Sequence, residues 1–145
     1  MLLLENKLSS DVTLIFRALP GLYLLLRPDF IIQDVTTLYA SAVNFSIEDV
    51  ISKSIFDMFP EDAGTQNDIA KHELSMSLNH VVTRNEPHTI SFTRFNIPLA
   101  NGGFEERFWK ITNTPILDST GELLYILNVP VIAPNPGIRF DHRLT

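Results

Sequence analysis

The sequence contains no cysteine. A disulfide framework, a thiolate metal site and a cysteine nucleophile are therefore excluded, and a reducing compartment is compatible with the chain. Long apolar runs are missing too. No segment approaches the ~18 apolar residues of a membrane-spanning helix. The opening MLLLENKLSSD has three leucines before Glu5, without the basic lead or extended apolar region of a secretory signal. These absences predict a cytoplasmic domain with no membrane span. Basic residues are few, with 11 Lys and Arg against 17 Asp and Glu and a net charge of −6. They are scattered along the chain, which argues against a nucleic-acid surface, since that binding draws on clustered cations to displace counterions from phosphates. The 145 residues make one domain, of a size that buries about 70% of its unfolded surface.

What is present reads as an α+β domain. Leu8, Val12, Ile15, Phe16 and Leu19 form one stripe of an amphipathic helix spanning residues 1–19, stopped by Pro20-Gly21. That stripe must be covered, either by the chain's own sheet or by a neighbouring subunit. Leu8, Val12, Ile15 and Phe16 are thus candidates for a homodimer interface. A main domain over residues 20–132 follows, and residues 133–145, with prolines at 134 and 136, read as a tail or linker.

Within the main domain, Leu22 to Arg27 and Phe30 to Val35 are expected strands joined by a turn at Pro28-Asp29. Three short helical pieces come next: TTLYASAV, SIEDVISKS and IFDMF, the last closed by Pro60. The pair Ser46 and Asp49 approximates a capping box, with Asp in place of the usual Glu. A longer helix runs from about Asn67 to Arg84, with Ala70, Leu74, Leu78 and Val81 on one face. The final third is a meander, HTISFTRFNI, FEERFWKITNTPIL and ELLYILNVPVI, with turns at Asn101-Gly102 and Asp118 to Gly121.

Two strands, short helices, one long helix and three strands, in that order, resemble the PAS fold. That resemblance implies a five-stranded antiparallel sheet with the short helices and one long helix on one face, enclosing a small pocket. The phrases ALPGLYLLLRPDFII, ISKSIFDMFPED and GGFEERFWKITNTPILDSTGELLYILNV are similar to sensory PAS domains of bacterial sensor histidine kinases. A regulatory module of the two-component type follows as the expectation, with a small-molecule ligand and a kinase or other output domain as partners. Many PAS domains end their last strand with an Asp, a small residue and a Thr that lead into a signalling helix. Here that strand runs through Asn128-Val129-Pro130-Val131 without the motif, and proline breaks a helix that would continue at once. No phosphoacceptor helix or ATP-binding glycine loop is present, so the chain is expected not to be an enzyme, and no catalytic or metal-binding residue is assigned.

The same resemblance frames the candidate pocket. Lack of cysteine excludes the flavin photoadduct and the thioester-linked chromophore. Haem-binding relatives use a histidine on the long helix, yet at 100° per residue His72 points away from the apolar face and His80 lies a quarter turn off it. The histidines make haem a poor fit, and no cofactor is identified. Trp109 shares a strand face with Ile111 and Asn113, and Asn128 shares one with Leu124 and Ile126. An amide on an apolar surface must find backbone, water or ligand, because burial without a partner is costly. Arg94 either faces the pocket as an anion partner or is a solvated strand arginine. Phe45, Ile55, Phe56, Met58 and Phe59 cluster on the short helices, where core and pocket wall are one surface. The candidate wall is therefore Phe45, Phe56, Phe59, Leu78, Arg94, Trp109, Asn113 and Asn128. Glu105 and Glu106 fall on opposite faces of a strand and are not a catalytic pair. Two other readings stay open: a ligand-free dimerisation scaffold and, further off, a small enzyme with a cone-shaped α+β fold.

Overall fold

A computed structural model describes residues 2–58 and 66–133, with side chains described for residues 10–58 and 67–133. Phe59, Pro60, the side chain of Leu8 and residues 134–145 lie outside that range. Helix α1 (Leu2–Arg17) is followed by strands β1 (Leu24–Leu26) and β2 (Ile32–Val35), then by α2 (Thr37–Ala42), α3 (Ile47–Val50) and a single 3-10 turn (Ile55–Met58). The long helix α4 (Gln66–Arg84) leads into the meander β3 (His88–Pro98), β4 (Phe104–Leu117) and β5 (Leu123–Ala133). All five strands form one antiparallel sheet in the order β2-β1-β5-β4-β3. The α+β architecture read from the sequence is the one observed.

The three hairpins close in the same way. In each, the N–H of the first turn residue donates to the carbonyl four residues on, and the fourth residue's N–H donates back to the first carbonyl: Arg27 with Ile31 and Phe30, Leu99 with Gly103 and Gly102, Asp118 with Glu122 and Gly121. The fourth position has positive φ, 88° at Gly102 and 89° at Gly121. Glycine adopts that conformation without steric cost. Phe30 adopts it at 70° in the first hairpin, and its ring lies edge-on to Phe56 at 6.0 Å. The turn takes up Arg27 to Ile31, so β1 and β2 are shorter than the sequence predicted. Thr36 sets the other end of this hairpin: its hydroxyl donates to the Gly21 carbonyl and accepts from the N–H groups of Tyr23 and Tyr39. It thereby also caps α2.

The capping box expected at Ser46 does not form. Ser46 precedes α3, but its hydroxyl donates to the Glu48 carboxylate at 2.6 Å and makes no cap to the backbone. A carboxylate two residues on is within reach of the hydroxyl, and the charge-assisted bond wins over the amide. The third short piece, IFDM, is a 3-10 turn and not an α-helix.

Each sheet edge is capped at one point. Ile32 donates to the Lys53 carbonyl and accepts from Ser52, which lays the segment before the 3-10 turn along β2. At the opposite edge, the buried Asn67 side chain accepts from the Asn96 N–H at 2.9 Å and donates to the Asn96 carbonyl at 3.3 Å. Pro98 closes β3, and two further prolines occur in strand interiors. Pro115 lies past the last β3 pair, His88 with Asn113, and Pro130 lies past the last β1 pair, Leu24 with Asn128. Each sits where its strand has one sheet neighbour, which is where the missing N–H is tolerated.

The core lies between one sheet face and the helices. Leu24, Leu26, Ile97 and Ile126 from the sheet meet Leu74, Leu78 and Val81 of α4, all within 2% of full burial. Helix α1 is different. Its C-terminal end is held by Arg17, whose Nε donates to the Asp34 carboxylate at 2.9 Å. Val12 and Ile15 remain 63% exposed, and Phe16 is half-buried. Val12 and Ile15 of the stripe are therefore not covered by the chain's own sheet.

Candidate functional site

Between α4 and the sheet the packing leaves a cavity of about 40 Å³. Tyr39 of α2 and Val43 at its C-cap, Ile55 and Met58 of the 3-10 turn, and Ala70 and Leu74 of α4 form one side. Thr93 and Phe95 of β3, Trp109 and Ile111 of β4, and Asn128 and Pro130 of β5 form the other. At roughly 10–15 Å³ of such space per water, this is room for about three waters or a compact organic fragment. A wider cleft of about 240 Å³ adjoins it, lined by Phe45, Asp49, Lys53 and Asp57 and sharing Val43, Met58 and Phe95 with the cavity. Those three apolar side chains separate an inner chamber from an outer one.

Strand register explains the polar wall. Asn113 stands opposite Asn128 in the β4–β5 ladder, and Asn128 stands opposite Leu24 in β1. Alternation turns both amides toward α4, where they are 0% and 2% exposed. They satisfy one another in a continuous chain. The Tyr39 hydroxyl donates to Asn128 Oδ1 at 3.4 Å, Asn128 Nδ2 donates to Asn113 Oδ1 at 2.7 Å, and Asn113 Nδ2 donates to Ser77 Oγ at 2.9 Å. Ser77 Oγ lies 2.7 Å from His88 Nδ1, and the His88 ring lies 4.8 Å from that of His80, which pairs with Glu86. The chain thus runs from the cavity wall to the far end of α4. Burial raises the Tyr39 phenol well above its ordinary range, so it is a neutral donor at every physiological pH.

Two further groups complete the wall. The Thr93 hydroxyl, 3% exposed, donates to the Glu73 carboxylate at 2.7 Å. Trp109 is 2% exposed, and its indole N–H is buried without a hydrogen-bond partner.

Of the candidate wall residues, Trp109 and Asn128 line the cavity, as do Ile55 and Met58 of the short-helix cluster. Asn113 stands behind Asn128 as its hydrogen-bond partner, Leu78 is fully buried core, and Phe45 lines the outer cleft beside Tyr39. Phe56 packs at the core margin against Phe30. Arg94 is a correction. Thr93, Phe95 and Ile97 take the inward phase of β3, so Arg94 projects from the opposite face and pairs with Glu106 at 3.3 Å. Leu124, read from alternation as sharing the face of Ile126, is 46% exposed: it is the extra residue at the register shift between Ile116 and Leu117, while Leu123 packs against the core. His72 is exposed on α4, and neither it nor His80 lines the cavity.

Tyr39, Ser77, His88, Thr93 and Pro130 were not singled out. Ser77 carried a signal. It falls about 60° from Leu74 on the helical wheel, inside the apolar face of α4, and a hydroxyl there needs a partner as much as the amide of Asn128 does.

The fold and this cavity place the chain among known architectures. No protein-family model matches the sequence, and no curated protein matches it. Solved structures do. VqmA bound to DPO superposes with a TM-score of 0.60 at 18% identity, covering 85% of this chain and 57% of VqmA. The PAS domain of BvgS from Bordetella pertussis gives 0.63 at 16% identity and covers 90% of both chains. A sensory box sensor histidine kinase from Vibrio cholerae gives 0.56 at 16%, covering 90% of this chain and 94% of that one. The chain has the PAS fold, and it spans little more than half the length of VqmA. Among the described residues, no helix is long and apolar enough to cross a membrane.

Proposed function

We propose that this chain is the sensory PAS module of a bacterial signal-transduction protein of the two-component type, binding a small molecule in the cavity between α4 and the sheet. It acts in the cytoplasm and carries out no catalysis of its own. The observation that carries this reading is the cavity itself, an apolar chamber with the polar side chains Tyr39, Thr93, Trp109 and Asn128 in its wall. Such a combination is what a small-molecule site requires. The likeness to the BvgS PAS domain and to a sensory box histidine kinase supports the signalling role, and the likeness to VqmA bound to DPO supports a ligand in this fold.

Signal transfer rests on a population shift. A ligand that binds one packing of the sheet and helices better than another biases the equilibrium by its differential affinity. Helix α1, tethered by Arg17 and Asp34 and exposing Val12 and Ile15, is the element that passes the shift to a second subunit or output domain. Native mass spectrometry of the purified chain, with an absorbance scan above the protein band, tests the reading. Retained non-protein mass on a dimer supports it. A ligand-free dimer that takes up no small molecule would point instead to a dimerisation scaffold.

A further inference from the structure

From the wall chemistry we infer the class of ligand: a compact uncharged molecule that presents one hydrogen-bond acceptor, a carbonyl oxygen or an aromatic ring nitrogen, to the indole N–H of Trp109. This rests on the ligand-binding reading above and narrows it. Among the described residues, the cavity wall contains no Asp, Glu, Lys, Arg or His. A charged ligand would lose its hydration without gaining a counter-ion, so the occupant is neutral. Of the polar groups on the wall, three are already committed: the Tyr39 hydroxyl, the Thr93 hydroxyl and the Asn128 amide. The Thr93 hydroxyl donates to Glu73, and Asn128 is held between Tyr39 and Asn113. Among these wall side chains, Trp109 is the one whose donor has no partner at all, and it is 2% exposed. Indole N–H groups find a partner when buried. The missing acceptor is what the cavity's contents must supply, in place of any water that fills the apo state.

Size is set by Met58. The chamber of about 40 Å³ is smaller than the ~150 Å³ that admits benzene, so a ring of five or six atoms requires the wall to yield. Met58 belongs to both the inner chamber and the outer cleft of about 240 Å³. Its flexible thioether can swing toward the cleft without breaking a hydrogen bond.

The single tryptophan makes the test direct, because the chain has one indole N–H signal. The 145-residue chain is titrated with cyclopentanone and with methylenecyclopentane, which has the same shape and no acceptor. Two-dimensional NMR then follows the Trp109 indole signal and the methyls of Val43, Met58 and Ile111. The expected result is a downfield indole shift with the ketone and at least about tenfold tighter binding than the hydrocarbon. Trp109→Phe keeps an aromatic wall and should abolish that preference. Equal binding of both probes, with wall methyls shifting and the indole signal fixed, would overturn the ligand class and leave the cavity reading intact. If neither probe moves any wall methyl, the ligand-binding reading falls as well.

Discussion

Asn113 and Asn128 face each other across the β4–β5 ladder and share a 2.7 Å hydrogen bond in an environment where neither is more than 2% exposed. Because each amide uses its partner and one further group, the pair is satisfied only as part of the chain from Tyr39 to Ser77. Removing one member leaves the other buried with one of its two partners lost. Asn128→Ala is expected to cost about 1–3 kcal/mol, measured by urea denaturation with the slope unchanged. An Asn113→Leu, Asn128→Leu double variant should cost less than the sum of the two single leucine variants, since it removes both partners together. A double-mutant cycle should show coupling of about 0.5–3 kcal/mol, and additivity would contradict the hydrogen-bonded pair.

Ser77 and Ser75 provide an internal control on one helix. Ser77 is fully buried and touches both Asn113 Nδ2 and His88 Nδ1, whereas Ser75 meets only Asn79 at the surface. Ser77→Ala should destabilise the fold by about 1–3 kcal/mol because it strands the Asn113 amide. Ser75→Ala should stay within about 0.5 kcal/mol of the parent. Thermal unfolding of both variants distinguishes them, and equal stabilities would mean that the buried chain is not maintained in solution.

These two residues also show how far the sequence reaches. Period and alternation are local, so the long helix, the meander and the inward phase of Trp109 could be read directly from residue order. Turns were legible because Gly102 and Gly121 occupy positions that demand positive φ. The chain from Tyr39 to Asn128 joins residues 89 apart in sequence. It depends on which residue of one strand stands opposite which residue of another, and composition along a strand does not encode that register. Arg94 failed for a related reason. Its neighbours Thr93 and Phe95 are both inward, but a register shift between Ile90 and Thr93 resets the phase of β3 at that point. Ser46 failed because a nearer carboxylate competed for its hydroxyl.

The β4–β5 turn carries a pH-dependent prediction. Asp118 Oδ1 accepts from the Thr120 hydroxyl at 2.6 Å and from the N–H groups of Thr120 and Glu122. The hydroxyl bond first, then the backbone N–H groups, hold its carboxyl below the ordinary carboxylate range. A depressed folded-state value means that this contribution is present above the unfolded value, ~3.9, and is lost as pH falls through the folded one. Carboxyl NMR titration should place the Asp118 midpoint below that of a free aspartate. Thr120→Val should raise it, and an unchanged midpoint would show that the hydroxyl does not set it.

The exposed stripe of α1 separates a subunit interface from unpartnered surface. Val12 and Ile15 are each 63% exposed, so neither contributes much to the fold of a single chain. Charges introduced there should leave monomer stability within about 0.5 kcal/mol. They would, however, be desolvated in a homodimer that covers the stripe, and a buried unpaired carboxylate is strongly unfavourable. Sedimentation of the Val12→Glu, Ile15→Glu double variant is expected to show a monomer where the parent is a dimer, with unchanged thermal unfolding at low concentration. Phe16→Glu is a less clean probe, since Phe16 is half-buried and its loss can disturb the helix itself. A parent that sediments as a monomer, or a double variant that stays dimeric, would remove α1 from the interface and place signal transfer elsewhere on the sheet.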